Sequence, residues 1–218
     1  MRFGHMTHMN RRLALLGLSA LVLAPAAYAQ QAAPVVLEGA ARAEGLAQAN
    51  RALNAIQRLQ GRFMQTSPGG GRASGMFYLQ RPGRLRFEYD PPATMLIVSD
   101  GSVVAMRDTE LRTTERTPLR STPLNIILGQ TIDLERNARI LRVSRAGPWL
   151  LITARDRGGQ TDGQITLQFY GAQTELRSWD VIDATGARTR ITLSDITQPA
   201  SFDRSLFRLE DMLSNRRR

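Results

Sequence analysis

The chain has 218 residues, a formal net charge of +10 and 29 basic side chains, all of them arginine. It contains no Cys, and its two histidines, His5 and His8, lie near the N-terminus. The rest of the chain has no Cys, His or Lys. This composition excludes disulfides, Ser-His-Asp catalysis, zinc sites of His and Cys, P-loops and Schiff bases there. We therefore predict a protein that is not an enzyme and that has no cofactor or metal site.

Residues 1–29 predict a cleaved signal peptide, and residues 30–218 predict a single domain with a sizeable core. The signal combines a basic start, an apolar run and a small-x-small cleavage site: Arg2, Arg11 and Arg12; Leu13 to Ala24; Ala27-Tyr28-Ala29. An apolar run of about a dozen residues is shorter than the roughly 20 that span a bilayer, which disfavours a membrane anchor. Export by the general (Sec) route or, given Arg11-Arg12, by the twin-arginine (Tat) route is left open.

The acidic and basic residues give little support to catalysis or to nucleic-acid binding. Glu88, Asp90 and Asp100 are the candidates for a glycosidase-type carboxylate pair. Glu88, however, shares a strand face with arginines, and Asp100 begins an Asp-Gly hairpin turn. The arginines are spread along the strands instead of clustering with aromatic residues, so we predict no nucleic-acid partner. A basic tail, Arg216 to Arg218, could make transient contact with anionic lipid head groups or with an acidic partner, and a merely solvated tail is the alternative.

An amphipathic helix from Ala40 to Gln60 is the first predicted element, after a loose leader from Gln30 to Val36. Apolar residues recur in and just beyond it at helical spacing: Leu46, Leu53, Ile56, Leu59 and Phe63. Gly61 is the expected terminator of the helix. The apolar stripe needs a surface to pack on, and a sheet follows directly, beginning with a strand from Arg62 to Thr66.

The segment from Gly75 to Gly101 predicts a β-meander. Alternation places the apolar residues of its first two strands on one face, across the Pro82-Gly83 turn: Phe77 and Leu79, then Leu85, Phe87 and Tyr89. Arg81 falls on the same face at the end of its strand, so its guanidinium is expected to point into whatever that face encloses. A third strand, Thr94 to Ser99, is apolar on both faces.

Two more strands, Val103 to Arg107 and Leu111 to Thr117, lead to a short predicted helix. Thr122 is its expected N-cap, Pro123 its first residue and Gly129 its terminator, while Thr131 would cap a further turn through Leu134. The helix carries one apolar stripe, formed by Leu124, Ile127 and Leu128. A helix inserted among strands favours a cover over an opening, and a connector packed outside the sheet is the alternative.

Strands resume towards the C-terminus: Ala138 to Ser144, Trp149 to Thr153, Gln164 to Tyr170, Arg177 to Ile182 and Arg188 to Ile196. Arg155 to Gly163 is a predicted loop without a metal, and Asp183 to Gly186 is a turn between the last two strands. With about ten to eleven strands and two helices, the predicted fold is mainly β with α, an antiparallel sheet curled around helices.

These motifs resemble the LolA-type periplasmic outer-membrane lipoprotein carrier family. Members show G-x-[aromatic]-x-x-x-R-P with a following aromatic strand, then a P-x-x-x-L-V-S-D-G-like hairpin, then a T-P helix. The matching stretches here are Gly75 to Tyr89, Pro92 to Gly101 and Thr122-Pro123-Leu124. Phe202 to Phe207 is similar to the closing segment of the family.

The resemblance implies an incomplete, strongly curved antiparallel β-barrel, covered by a helical lid and enclosing an apolar cavity for acyl chains. The implied cavity side chains are Phe77, Leu79, Leu85, Phe87, Tyr89, Met95 and Ile97. The implied lid stripe is that of Leu124, Ile127 and Leu128. In the family, the arginine of the R-P pair bonds the lid when no cargo is present, which assigns Arg81 as the residue that holds and releases the lid.

The resemblance also implies a monomeric carrier in the periplasm and a set of partners. These are acylated lipoproteins as cargo, an inner-membrane ABC-type release complex and an outer-membrane acceptor lipoprotein. A periplasmic carrier or sensor of another lipid, such as a phospholipid, hopanoid or glycolipid, is the alternative on the same fold.

Overall fold

A computed structural model describes residues 33–157 and 163–209, all of which belong to one compact unit. The predicted signal peptide, the centre of the loop from Arg155 to Gly163 and the tail from Arg216 to Arg218 lie outside the described residues. In chain order the strands are β1 Val35–Val36, β2 Arg58–Thr66, β3 Arg72–Gln80, β4 Arg84–Tyr89, β5 Met95–Asp100, β6 Val103–Asp108, β7 Thr113–Pro118, β8 Ala138–Ala146, β9 Trp149–Asp156, β10 Gln164–Tyr170, β11 Glu175–Ile182 and β12 Arg188–Thr197.

Three α-helices accompany the strands: α1 Gly39–Ala55, α2 Asn125–Leu128 and α3 Leu134–Asn137. Short 3₁₀ helices lie at Leu119–Ser121 and Arg204–Phe207. None of the helices in the described part of the chain is long and apolar enough to cross a bilayer.

All twelve strands form one antiparallel sheet in the order β1-β8-β9-β10-β11-β12-β2-β3-β4-β5-β6-β7. The two outermost strands, β1 and β7, do not pair with each other, so the barrel is incomplete. One face of the sheet packs on α1 and α2 in a continuous apolar core that takes residues from strands β2 to β6 and β8 to β12. We call this the inner face. The predicted fold class, an incomplete antiparallel barrel with helices, is confirmed.

Strand β2 shows that the predicted end of the first helix was wrong. Helix α1 ends at Ala55, and Ile56 is its C-cap. Leu59 and Phe63 have helical spacing from Ile56, but they also alternate with polar residues, and strand pairing with β3 and β12 decides between the two periods. Gly61 lies inside β2 instead of ending the helix, at a point where a Cβ would come within 2.5 Å of the Ser194 carbonyl oxygen.

Other local predictions were also corrected. Val35–Val36 are not a loose leader, because they pair with β8. Helix α2 begins at Asn125, and Thr122 is not its N-cap: the Thr122 hydroxyl donates to the Leu119 carbonyl oxygen at 2.8 Å. Asp133, and not Thr131, caps α3 by accepting a hydrogen bond from the Arg136 amide. In each case a tertiary or neighbouring contact outweighs the local sequence signal.

The outer face carries a buried carboxylate that ties three strands together. Asp180 in β11 is 2% exposed and accepts from Gln168 Nε2 at 2.9 Å, from Arg190 Nε at 2.6 Å and from the Arg188 guanidinium. Burial raises the pKa of Asp180, but the hydrogen bonds and charges of the two arginines outweigh it, so the pKa lies below its usual value.

Replacing Gly61 with alanine is expected to reduce the free energy of unfolding by about 1–3 kcal/mol, because the new methyl group would force β12 away from β2. Urea denaturation measures this loss. Gly71→Ala is the matched control, since a Cβ there meets nothing within 4 Å. An unchanged stability of Gly61→Ala would mean that the two backbones do not approach as closely as described.

Asp180→Asn is expected to lower the free energy of unfolding by about 2 kcal/mol near neutral pH, because it weakens hydrogen bonds between charged groups. Since the folded pKa is depressed, the contribution of Asp180 is fully present above the unfolded pKa of about 3.9 and is lost as the pH falls through the folded pKa. The difference between the two proteins should therefore shrink in acid. The exposed Asp195→Asn should change little at any pH.

Candidate functional site

Arg81 is the one buried arginine among the described residues, with an exposed fraction of 7%. It directly follows β3, whose Phe77 and Leu79 are buried in the core. Continuing the same alternation places Arg81 on the inner face, between the C-terminal ends of α1 and α2. A full positive charge is thus held at the point where the two helices meet.

All five guanidinium N–H groups of Arg81 have an acceptor. Nε donates to the Gly129 carbonyl oxygen at 2.8 Å, and Nη2 donates to the Gln130 carbonyl oxygen at 2.8 Å, both just after α2. Nη1 donates to the carbonyl oxygens of Leu53 and Ile56 at 2.5 and 3.2 Å. The remaining bond runs from Nη2 to Asn54 Oδ1 at 3.2 Å. One side chain therefore connects the ends of both helices.

The acceptors around Arg81 are neutral oxygens, with no carboxylate among them. Carbonyl groups at a helix C-terminus lack intrahelical partners and carry partial negative charge, so the end of α1 is a favourable place for a cation. Burial lowers the pKa of the Arg81 guanidinium, which nevertheless stays protonated. We call the five hydrogen bonds of Arg81 the arginine bridge.

Two asparagines on α1 strengthen the same junction. Asn54 Nδ2 donates to the Ile132 carbonyl oxygen at 2.7 Å, and the Ile132 amide donates to Asn54 Oδ1 at 2.9 Å. Asn50 Oδ1, one turn earlier, accepts from the Leu134 amide at 3.0 Å. The side chains of Asn50 and Asn54 thus form hydrogen bonds with the backbone of the segment that follows α2. The sequence contains one indication of this role: two asparagines lie four residues apart within a helix, where asparagine is normally unfavourable.

Helix α2 and its flanks, residues 119–134, form a lid over the inner face. Ile126, Ile127 and Leu128 are each at most 3% exposed, and Leu124 packs against the same core while partly buried. The Gly83 amide, in the turn after Arg81, donates to the Leu128 carbonyl oxygen at 2.8 Å. The lid is thus held by apolar packing, by one turn of the sheet and by the arginine bridge.

The predicted cavity residues lie on the inner face, most of them within the packed core. Phe77, Leu79, Leu85 and Phe87 are buried in the packed core, and Tyr89 and Ile97 pack against it. Met95, by contrast, is only half-buried and lies outside this core cluster. Burial raises the pKa of Tyr89 to about 12, and its hydroxyl donates to Gln65 Oε1 at 2.5 Å. The residues that the family resemblance assigns to lipid binding thus pack mostly against one another.

A cavity of about 320 Å³ opens beside the arginine bridge, between the end of α1 and strands β11 and β12. Its apolar wall is formed by Ala52, Ile56, Leu59, Leu176 and Ile196. Ile56 joins the cavity to the bridge, because its carbonyl oxygen accepts from Arg81.

The three carboxylates considered for catalysis do not meet on the inner face. Glu88 accepts a hydrogen bond from Arg86 Nε at 2.6 Å on the outer face. Asp90 accepts hydrogen bonds from the Ser74 hydroxyl and the Arg62 guanidinium. Asp100 accepts from the amides of its own hairpin turn. Across residues 33–157 and 163–209, no cluster of three or more metal-binding side chains forms.

The fold and site together define a class of protein, a half-barrel closed by a helical lid over an apolar inner face. Residues 54–210 match the family described as outer membrane lipoprotein carrier protein LolA. The chain belongs to this family, whose members are periplasmic lipoprotein transport proteins. The family assignment made from the sequence motifs is confirmed.

Two proteins named outer-membrane lipoprotein carrier protein are similar over most of their length. The one from Leptothrix cholodnii is 29% identical over 162 residues, covering 70% of this chain and 75% of its own. The one from Methylibium petroleiphilum is 28% identical over 185 residues, covering 81% and 90%. A solved LolA superfamily protein from Nitrosomonas europaea superposes with a TM-score of 0.43 at 10% identity, covering 78% of this chain and 98% of that one.

Asn54→Ala is expected to loosen the lid, because it leaves the amide and carbonyl of Ile132 without their side-chain partner. The cost of such unpaired groups is about 1–3 kcal/mol, so amide exchange at Ile132 should accelerate roughly tenfold or more. Hydrogen exchange measured residue by residue tests this. Asn137→Ala removes only a 3.4 Å bond to Thr131 in the same segment and should leave the exchange rates unchanged.

Proposed function

We propose that this protein is a periplasmic carrier that binds the acyl chains of lipoproteins against its inner face and moves them from the inner to the outer membrane. Its family membership supports lipoprotein transport in general. The feature that carries the more specific proposal is the arginine bridge, a polar connection that holds an apolar lid over an apolar core. Phe77, Leu79, Leu85, Phe87, Tyr89, Met95 and Ile97 would contact the acyl chains, with Leu124, Ile127 and Leu128 on the lid side.

Opening of the lid is required by the size of the cargo. A cavity of about 320 Å³ is at the lower end of pockets that hold one small ligand. A triacylated lipoprotein carries about three chains of roughly 15 methylenes, which need far more room. The space has to come from moving α2 away from the inner face, and this movement breaks the bonds that Arg81 makes to Gly129 and Gln130.

The energetics of lid opening favour exchange over permanent capture. Raising the lid into water would expose Ile126, Ile127 and Leu128, at about 1.5–3 kcal/mol each. Acyl chains that replace their contacts with the core remove this cost. The arginine bridge has no such substitute in a lipid, so it stabilises the empty, closed form relative to the loaded one.

A carrier of this kind also must not bind too tightly. Three acyl chains would cost on the order of 35 kcal/mol to expose to water, at about 0.8 kcal/mol per methylene. Non-covalent affinities saturate near −18 to −21 kcal/mol, so the cavity shields the chains only in part. We propose that an inner-membrane ABC-type complex supplies the cargo and that an outer-membrane acceptor lipoprotein removes it, with closure of the lid favouring release.

Arg81→Leu tests the role of the bridge. The variant should load acylated lipoprotein, because the apolar side chains of its inner face are unchanged, but should hand it to an acceptor about tenfold or more slowly, since the empty form has lost charged hydrogen bonds. Transfer from the purified carrier to acceptor-bearing membranes measures this rate. Arg120→Leu is the matched control: Arg120 is an exposed arginine at the start of the lid, and its side chain makes no hydrogen bond to residues 33–157 or 163–209. Normal transfer by Arg81→Leu would contradict the proposal.

Mass spectrometry of what co-purifies with the processed protein tests the nature of the cargo. Acylated peptides that are enriched with Arg81→Leu are the expected result. Free phospholipid, hopanoid or glycolipid alone, in amounts that the substitution does not change, would favour a carrier or sensor of another lipid.

A further inference from the structure

A row of polar side chains crosses the outer face at the end of the sheet nearest the lid. Strand register places Arg58 opposite Gln80, Gln80 opposite Arg84, and Arg84 opposite Asp100, on four successive strands from β2 to β5. Their inner-face neighbours, such as Leu59, Leu79 and Leu85, are buried in the core. The row therefore lies on the outer surface as a continuous line.

The segment after β12 forms the opposite wall of a groove along this row. The ring of Phe202 packs edge-on against Tyr78 of β3 and against Phe207, which anchors the segment on the sheet. Arg58 Nε donates to the Pro199 carbonyl oxygen at 3.0 Å and fixes the start of the segment. Arg204, Arg208 and Leu209 line the groove, whose volume is about 550 Å³.

The charges in this groove are unbalanced. Some arginines elsewhere on the outer face pair with acids, as Arg62 does with Asp90, Arg86 with Glu88 and Arg190 with Asp180. Within the described residues, the four arginines of the groove make no salt bridge.

Among the described residues, two acids offset these arginines in part. Asp100 is a carboxylate of the groove lining, and its Oδ1 accepts from the Ser102 and Val103 amides. Asp203 accepts from the amide and the hydroxyl of Ser205, which lower the pKa of this carboxyl, and the charge of Arg208 lowers it further.

We infer that this groove binds the phosphate of an anionic phospholipid head group, with Arg84 and Arg204 as its principal contacts. Guanidinium groups match phosphate oxygens with paired donors, and anionic lipids attract surface arginines. The apolar side chains of Phe202 and Leu209 beside the charges suit a ligand that has a glycerol backbone next to its phosphate. A free phosphate offers the same charge without that apolar part.

The position of the groove determines which end of the protein would face the membrane. Arg84 directly follows Gly83, whose amide is hydrogen-bonded to the lid. Asp100 directly precedes Gly101, which packs against Gly83. A protein docked through the groove would hold the lid end of the half-barrel at the membrane surface. The inference goes beyond the proposed carrier function and does not depend on which cargo the inner face takes.

Flotation with lipid vesicles tests the inference on the processed protein without cargo. Vesicles of equimolar phosphatidylcholine and phosphatidylglycerol should bind the protein, and pure phosphatidylcholine vesicles should not. The double variant Arg84→Gln with Arg204→Gln should lose about tenfold or more in partitioning to the anionic vesicles. The control is Arg139→Gln with Arg142→Gln, which removes the same charge from exposed positions of β8 and should bind normally.

Several outcomes would overturn the inference. Equal losses of vesicle binding in both double variants would show that net charge alone drives binding. No loss in either variant would show that the groove takes no part in binding. Inorganic phosphate should displace the protein from vesicles better than chloride at the same ionic strength, and equal displacement would exclude phosphate recognition. Groove-dependent binding of an acidic peptide without binding to anionic vesicles would assign the surface to a protein partner instead. Thermal unfolding confirms that the variants are folded.

Discussion

The arginine bridge is the interaction on which the rest of this structure depends. A curved sheet with an apolar inner face needs a cover, and here the cover comes from two helices that are not continuous with each other. Arg81 connects their ends through five bonds, because its position just beyond β3 places a long charged side chain under both. The packing of the lid, the backbone bond from Gly83 and the asparagine contacts all converge on the same junction.

The sheet and the lid, which meet at this junction, are stabilised in different ways. The sheet is held by strand pairing, by the core side chains of its own strands and by buried polar groups such as Asp180. The lid is held by buried aliphatic side chains, among them Ile126, Ile127 and Leu128, and by hydrogen bonds that a single segment makes to its neighbours. The sheet and its cover are therefore stabilised by different parts of the chain, an arrangement that suits the proposed carrier function.

Much of this architecture could be predicted from the sequence. The alternation from Gly75 to Gly101 gave the correct strands and faces, because each side chain there reports directly on which side is buried. The anomaly of Arg81 was visible for the same reason: alternation places a charge where only apolar residues are expected. The Asp100-Gly101 and Asp183 to Gly186 turns were also correct, since turn residues act locally.

The errors occurred where distant contacts decide the structure. Residues 56–63 satisfy both helical and strand periods, and only pairing with β3 and β12 selects the strand. The register of Val35–Val36 with β8 involves residues more than a hundred positions apart and has no local signal. The partners of Arg81 could not be predicted either, because four of its five acceptors are backbone carbonyls, which every residue carries alike.

The acceptors of Arg81 are neutral, and this affects how the closed lid responds to pH and salt. A bridge between arginine and carboxylate would weaken when acid protonates the carboxylate and when salt screens the exposed pair. A guanidinium bonded to buried carbonyl and amide oxygens has no partner that titrates, and its bonds are shielded from ions in solution. The closed form should therefore be almost equally stable over a wide range of acidity and salinity. In the proposed carrier, opening of the lid would therefore depend on a competing ligand or a docking partner and not on a change in pH or salt.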